Sequence, residues 1–374
     1  MKFSSLKGQL YTAIQNVIRI VPNVSTVPII TGILFCVTDD ILTLTATDFE
    51  TSITSSIPVM NSEPGEVVLP GKYIFDIIRK LPDGMGSFSI DPMTWKCVIK
   101  AENSKFQIYG QPSDDFPRNP ERKSEIVFNI NSQILSDMIT KTTFAAGVQE
   151  KRSYIAGVSF SIQNNKLKLA ATDTFRLALN TETISLEPQD DTDVKQTDFE
   201  VIVPAKILND VAKILSQINE EIQVRVGDGF ILFRTSSTTV TTRLIDDKFL
   251  DYETVLLADP LIKVYTDRED LVSAAERAGI INRKEAVTKL SLEADKIILS
   301  ASASDIGELY EEIEAKKDGE DMEIGIDINY LIEALRYLDA EKVVLGFISP
   351  LRPIFLQVPE EDNALQVIMP MRLG

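Results

Sequence analysis

Two carboxylates end look-alike stretches of this chain. Ala46-Thr47-Asp48 is followed by Glu50, and the triplet returns as Ala171-Thr172-Asp173, 171 − 46 = 125 positions later. Carboxylates of this kind can seat Mg²⁺, a hard cation that prefers oxygen ligands, and bound Mg²⁺ can activate water for hydrolysis. The competing use is structural: an Asp after Thr at a strand end caps a turn by accepting nearby backbone N–H groups. The repeat lacks the further acidic ligands that a nuclease centre needs. The turn is therefore the preferred account, and no metal is assigned. Other chemistry is excluded outright. The chain contains no histidine, which removes the commonest general base and the commonest metal ligand. Ser–His and Cys–His nucleophile pairs cannot form. Cys36 and Cys97 are isolated, which fits neither a structural zinc site nor a disulfide framework and points to a reducing compartment. Neither GxxxxGK[ST] nor GxGxxG occurs. We assign no catalytic residue and no cofactor.

A chain of 374 residues has room for two or three domains at ~150 residues each. Its apolar content, 44%, is that of a soluble globular protein. No apolar run approaches the ~20 residues needed to span a bilayer. The start, Met1-Lys2-Phe3-Ser4-Ser5, lacks a signal peptide's apolar core, and a cytoplasmic location is expected. The net charge is 38 − 56 = −18, a field that repels phosphate but leaves room for a local basic surface.

The triplets belong to a longer repeat. An alternating strand precedes each: Ile41-Leu42-Thr43-Leu44-Thr45 and Lys166-Leu167-Lys168-Leu169-Ala170. A weaker third copy is Ile297–Ser302, followed by Asp305. A second motif also recurs: Leu69–Leu81, Val203–Leu215 and Ile326–Leu338 each read as a strand end and then a helix. Pro70 and Pro204 suit a first helical turn, and Asp327 suits an N-cap. The apolar residues fall at i, i+3, i+4 and i+7, giving one buried stripe. A further helix opens each unit, at about Leu6–Ile20, Ser132–Ala145 and Arg268–Ile281. Short alternating strands with Asn, Asp and Gly turns, such as Asn164-Asn165 and Gly227-Asp228-Gly229, complete the unit. Asp114–Lys123 reads as a linker, and Glu187–Asp198 and the charged Lys316–Glu323 run read as solvated loops. The fold class is α+β: three repeated units of two helices and antiparallel sheets.

Basic residues sit on these helices: Lys72, Arg79 and Lys80 with Asp76, Lys206 and Lys213 with Asp210, and Arg277, Arg283 and Lys284 near the end of 268–281. Any one of them can simply complement a helix dipole, but their recurrence favours a shared basic lining. The tail, Val367-Ile368-Met369-Pro370-Met371-Arg372-Leu373-Gly374, is apolar where most chains fray. It either closes a core strand or lines a groove filled by a partner; Met suits surfaces that accept several ligands. Pro370 should end strand pairing there.

With these residues in view, the chain resembles the bacterial DNA sliding clamps, the β subunits of the DNA polymerase III holoenzyme, over residues 1–373. Ala171-Thr172-Asp173-Thr174-Phe175-Arg176-Leu177 and Met369-Pro370-Met371-Arg372-Leu373 carry the likeness, supported by Ala46-Thr47-Asp48-Phe49-Glu50 and Lys248–Tyr252. The resemblance implies three clamp domains, 1–121, 122–253 and 254–374, and a two-chain ring around duplex DNA. It implies tethering of the replicative polymerase without catalysis. A clamp loader and repair proteins would be further partners. Partner peptides would dock in a pocket of Ile155, Thr172, Thr174, Phe175, Arg176, Leu177, Leu250, Val255, Leu351, Pro353, Met369, Pro370, Met371 and Arg372. Relatives often carry Gly and then His or Tyr where Thr174 and Phe175 stand, and Pro in place of Leu250, which implies a narrower or reshaped pocket. Gln149, Arg152 and Tyr154 match DNA-touching positions, with Lys72, Arg79, Lys80, Lys206 and Lys213 on the lining helices. A basic residue common in the first-domain loop is replaced by Val24, so that contact is lost. At the ring seam, Phe106 would meet Ile280 and Ile281 of the other chain, with Glu308 and Glu312 facing bases near Lys72 to Lys80. Two readings from other classes stand beside this one: a Mg²⁺-dependent hydrolase using Asp48 and Asp173, and a monomeric peptide-binding scaffold.

Overall fold

The structure is a computed structural model that describes residues 1–118, 124–148, 152–184, 199–256, 259–281, 287–304 and 306–373. Glu187–Asp198, Gln149, Arg283, Lys284 and Asp305, singled out above, lie outside the described residues, as does the end of the Asp114–Lys123 stretch. The fold divides into two compact units. One is built from Met1–Gln133 and Lys213–Leu244, the other from Ile134–Ile184, Asp190–Ala212 and Ile245–Gly374.

In the first unit, every paired strand is antiparallel. A five-stranded sheet has Lys2–Leu6 near one end and Ser104–Tyr109 at the other edge. An eight-stranded sheet is joined in its middle by Thr51–Pro58 against Thr238–Arg243, with Ser55 opposite Thr238. Hydroxyls stitch this join: Thr51 Oγ1 and Thr242 Oγ1 are 2.9 Å apart, and Ser55 Oγ and Thr238 Oγ1 are 3.2 Å apart. Helices α1 (Lys7–Val17) and α2 (Gly71–Lys80) bury Leu10, Ile14, Ile74 and Ile78. Pro70 is the N-cap of α2 and the last residue of the preceding strand, one place earlier than its expected first helical turn. Phe116, inside the stretch read as a linker, is buried against Leu34 and Val68. Arg118 beyond it is held by Glu66 at 2.5 Å.

In the second unit, a twelve-stranded antiparallel order is joined by the C-terminal strand, Ala364–Ile368, which pairs with Arg176–Thr183 on one side and Ile354–Gln357 on the other. Helix α3 (Ser132–Thr143) meets α4 (Ala205–Leu215) through Ser136 Oγ to Ala212 O at 3.0 Å and Thr143 Oγ1 to Asn209 Oδ1 at 2.7 Å. A short helix, α5 (Glu253–Leu256), precedes α6 (Arg268–Ile281) and α7 (Ile328–Arg336). Asp327 caps α7 as expected, accepting Asn329 N–H at 2.9 Å. Leu271, Ala275, Leu331 and Leu335 fill the core beneath these two helices.

The Lys316–Glu323 loop reading is corrected. Gly307–Asp318 is one long strand and Met322–Ile326 is the next. The charges misled: the Lys317 side chain is 3% exposed, its aliphatic stem buried and its ammonium bonded to Leu292 O and Asp321.

Candidate functional site

The repeated Ala-Thr-Asp triplets build the same turn twice. Thr47 Oγ1 donates to Thr51 O at 2.9 Å and accepts Phe49 N–H at 3.1 Å. Asp48 Oδ1 accepts Glu50 N–H at 3.1 Å and Thr51 N–H at 2.7 Å. In the second copy, Thr172 Oγ1 donates to Arg176 O and accepts Thr174 N–H, while Asp173 Oδ1 accepts Phe175 N–H at 2.9 Å and Arg176 N–H at 3.0 Å. The residue after each Asp has positive φ, +76° at Phe49 and +80° at Thr174. For β-branched Thr174 this is a strained backbone, held in place by those four bonds. Both aspartates are thus engaged by backbone amides, and the other Asp173 oxygen accepts Arg176 Nε–H at 3.0 Å. They serve the turns rather than a metal-hydrolase centre.

Strand register then brings some of the expected pocket residues to one end of the sheet. Arg176 lies opposite Ile368, and Ile368 lies opposite Ile354. Phe175, Met369 and Pro353 each stand one residue beyond that row, so three connections leave the sheet at the same end. Met369 N–H donates to Phe175 O at 2.8 Å. Pro370 ends the ladder as expected, yet pairing resumes once: Met371 N–H donates to Gly325 O at 2.8 Å. Only glycine allows this approach, since a Cβ there would stand 2.5 Å from Met371 O. One step inside that row the sheet is apolar. Leu177, Phe249, Tyr252, Phe355 and Val367 form one buried cluster, with Tyr154 packed against it. Burial pushes the Tyr252 hydroxyl up to about 12, with Glu253 and Glu200 adding to the rise.

Arg176 is the most elaborately held side chain here. Asp173 and Glu333 both bind it, and its guanidinium lies over the Tyr330 ring at 4.9 Å and the Phe144 ring at 5.4 Å. Phe144, Tyr330 and Glu333 were not singled out in the sequence. The signal for Tyr330 was its place in the third copy of the strand–helix motif, aligned with exposed Tyr73 of the first.

Other expected pocket residues are spread more widely. Ile155 is half-buried; its carbonyl accepts Gly147 N–H at 2.7 Å, and a Cβ on Gly147 would meet Ile155 Cδ1 and Asp173 Cβ. Leu351 is 69% exposed, and Arg372 is exposed. Val255 lies in α5, and its side chain is outside the described set. Leu250 lines a cavity of about 390 Å³ with Ser161, Phe199, Phe249 and Tyr252, which it shares with no other expected pocket residue.

The expected DNA-facing residues are exposed or half-buried where described. In the first unit, Lys72, Arg79, Lys80 and Lys213 are exposed, and Arg79 is paired with Asp76 at 2.7 Å. In the second, Lys206 and Arg152 are exposed, and Arg152 donates to half-buried Tyr154 Oη at 3.1 Å. Val24 is 88% exposed.

Each unit also presents an open strand edge. Ser104–Tyr109, carrying Phe106, pairs only with Lys96–Ala101 among the described residues. Gly307–Glu314 pairs with Lys296–Ala303 on one side; the opposite ladder, to Thr266 and its neighbours, begins only at Ala315. Ile280 is exposed and Ile281 half-buried at the end of α6. Glu308 is exposed, whereas Glu312 is already held in this chain by Lys296 at 2.7 Å and by the Tyr310 hydroxyl at 2.8 Å. Arg277 is likewise occupied, by Glu311.

Comparison with known proteins is consistent along the whole length. Family models match in order: DNA polymerase III beta subunit N-terminal domain at residues 1–120, central domain at 129–251 and C-terminal domain at 254–372. The chain is 28% identical to the beta sliding clamp of Bacillus subtilis, and the match covers all of both chains. It is 29% identical to that of Staphylococcus aureus, covering all of this chain and 99% of the relative. Among solved structures, the Pseudomonas aeruginosa DNA polymerase III subunit beta superposes with a TM-score of 0.92 at 29% identity, with full coverage of both. A Pseudomonas aeruginosa sliding clamp bound to griselimycin gives 0.93 at 28%, again with full coverage of both.

Proposed function

The chain belongs to the DNA polymerase III beta-subunit family, the sliding clamps, and from that premise we propose that two copies close into a ring that slides on duplex DNA. Its role is the family's: a non-catalytic processivity subunit of the replicative polymerase. The observation that carries the reading is the match of three domain models in order, at 1–120, 129–251 and 254–372. We assign the domains as 1–121, 122–253 and 254–374, and the location as the cytoplasm; among the described residues no helix is long and apolar enough to cross a membrane.

The two open edges support a head-to-tail seam. The Ser104–Tyr109 strand of one protomer would add to the free side of Gly307–Glu314 in the other, satisfying backbone groups that each edge otherwise leaves unpaired. Phe106, Ile280 and Ile281 are the apolar anchors and Glu308 the rim charge. Glu312 contributes less, because Lys296 already neutralises it. Lys72, Arg79, Lys80, Lys206, Lys213, Gln149, Arg152 and Tyr154 are assigned to the DNA side. Contacts there are to phosphate and are sequence-independent, because a ring that gripped bases could not slide.

Segments of the polymerase, clamp loader and repair proteins are assigned to the groove at the end of the Arg176–Ile368–Ile354 row. Thr172, Leu177 and Ile155 are assigned to its apolar wall, Phe175, Met369, Pro370, Met371, Leu351 and Pro353 to its rim, and Arg176 and Arg372 to its charge; Leu250 and Val255 are assigned to it from the family likeness alone. Negative-stain imaging of the purified protein at micromolar concentration tests the reading. Two-chain rings with a hole wide enough for a duplex are expected; solid single-chain particles would overturn it and leave the monomeric scaffold.

A further inference from the structure

Five planar groups make a continuous series of face contacts beside the proposed peptide groove, called the column below. Tyr337 and Phe144 lie 4.3 Å apart at 13°. Next come the Arg176 guanidinium, 5.4 Å from the Phe144 ring, and the Tyr330 ring, 4.9 Å from that guanidinium. Phe175 ends the column, 6.4 Å from Tyr330 at 13°. The inner members are half-buried, but Phe175 is 59% exposed, so the column finishes on an aromatic ring open to solvent. The strained Thr174 turn and the Met369 N–H to Phe175 O bond hold that residue at the groove's rim.

Within the column Arg176 is the one cation, and three carboxylates stand near it. Asp173 and Glu333 both bind Arg176. Asp327, at the N-cap of α7, adds a third carboxylate, and the Tyr330 hydroxyl is raised by burial and by Asp173 and Asp327. An aromatic face presents the negative part of its quadrupole, and nearby carboxylates deepen that potential. A planar guanidinium suits such a face best, because it stacks and is weakly hydrated. An aromatic group would stack but gain nothing from the carboxylates, and an acidic group would be repelled.

Resting on the partner-groove reading above, we propose that the open face of Phe175 receives an arginine side chain of the bound partner segment, as the next layer of the column. Phe175 thereby sets a preference for partners with a cation flanking their apolar anchors. The apolar groove supplies the bulk of the affinity, and this position sorts among partners.

The test uses full-length protein and two synthetic peptides. Both carry one Leu and one Phe as apolar anchors for the groove and differ at one flanking position, Arg in one and citrulline in the other. Citrulline keeps the planar shape and removes the charge. The position is scanned on both sides of the anchors by fluorescence anisotropy. At one position the Arg peptide is expected to bind the wild type about fivefold tighter, the size of an exposed cation–π contact. That advantage is expected to fall within twofold in Phe175→Leu. Equal binding of the two peptides at every position overturns this inference and leaves the groove intact. An Arg advantage that survives Phe175→Leu also overturns it. Failure of both peptides to bind wild-type protein would overturn the groove reading itself.

Discussion

The tail's place in the groove depends on a glycine, and Gly325→Ala tests that dependence. An added Cβ would stand 2.5 Å from Met371 O and 2.7 Å from Val287 Cγ1. Ordinary contact begins near 3.4 Å, so the Met371 carbonyl has to retreat by 3.4 − 2.5 = 0.9 Å. The Met371 N to Gly325 O bond is 2.8 Å, and a shift of that size along it gives 2.8 + 0.9 = 3.7 Å, past hydrogen-bonding range. Losing the bond costs about 0.5–1.5 kcal/mol. Little apolar burial is lost with it, because Met369 is already partly exposed. The fold should therefore survive, with Tm lower by about 1–2 °C for a chain of 374 residues. Peptide binding should suffer more, since Met369, Pro370 and Met371 leave the groove rim together; at least a tenfold loss is expected, equivalent to about 1.4 kcal/mol. Anisotropy titration with an anchor peptide reads the affinity, and hydrogen exchange at the Met371 amide reads the tail. Gly8→Ala, with nothing near its Cβ inside α1, is the control for adding a methyl group. An affinity within twofold of wild type, with the Met371 amide still protected, would refute the claim that this bridge positions the tail.

Four further outcomes are expected. Gly8→Ala itself should raise stability by about 0.5–1 kcal/mol, because Ala loses less backbone entropy in a helix, readable as a later urea midpoint. Ile280→Asp with Ile281→Asp should give monomers in sedimentation velocity, since unpaired charges in an apolar seam cost several kcal/mol; a persisting dimer would move the seam elsewhere. Asp173→Ala should cost about 1–3 kcal/mol, because two backbone amides lose their acceptor and Arg176 loses one of its two, and it should abolish no hydrolase turnover, since none is expected in the wild type. Tyr252 bears on alkaline stability. Its folded pKa is raised to about 12 from 10.0, so its contribution is complete below pH 10 and is lost as pH rises through the folded value. At two units that contribution is at most roughly 2–3 kcal/mol. Denaturant midpoints from pH 9 to 12 should fall less steeply in Tyr252→Phe than in wild type, and parallel curves would show that the hydroxyl is not so held.

Much of the fold was legible because it repeats. The spacing of 171 − 46 = 125 carries over to backbone geometry: the strained residues are Phe49 and Thr174, and the paired positive-φ turns are Asp39-Asp40 and Asn164-Asn165. Such turns are readable in sequence because few residue types tolerate positive φ or offer a side-chain oxygen to the next amides. Lys316–Glu323 was misread for the opposite reason. Charge run and loop look alike in one dimension, and only burial of the Lys317 stem distinguishes them.

By itself, the sequence determined the repeated helices and the strands that lead into the Thr-Asp turns, the exclusion of histidine- and cysteine-based catalysis, and the chemistry of those turns, because all of these rest on residue type and local spacing. Only the tertiary structure decided that Arg176, Ile368 and Ile354 share one row, that the tail resumes pairing at Gly325, and that Phe144, Tyr330 and Tyr337 stack about Arg176. Those contacts join residues far apart in the chain, and no local periodicity encodes which strand ends meet. Strand register and a 2.5 Å clearance at one glycine are properties of the packed molecule.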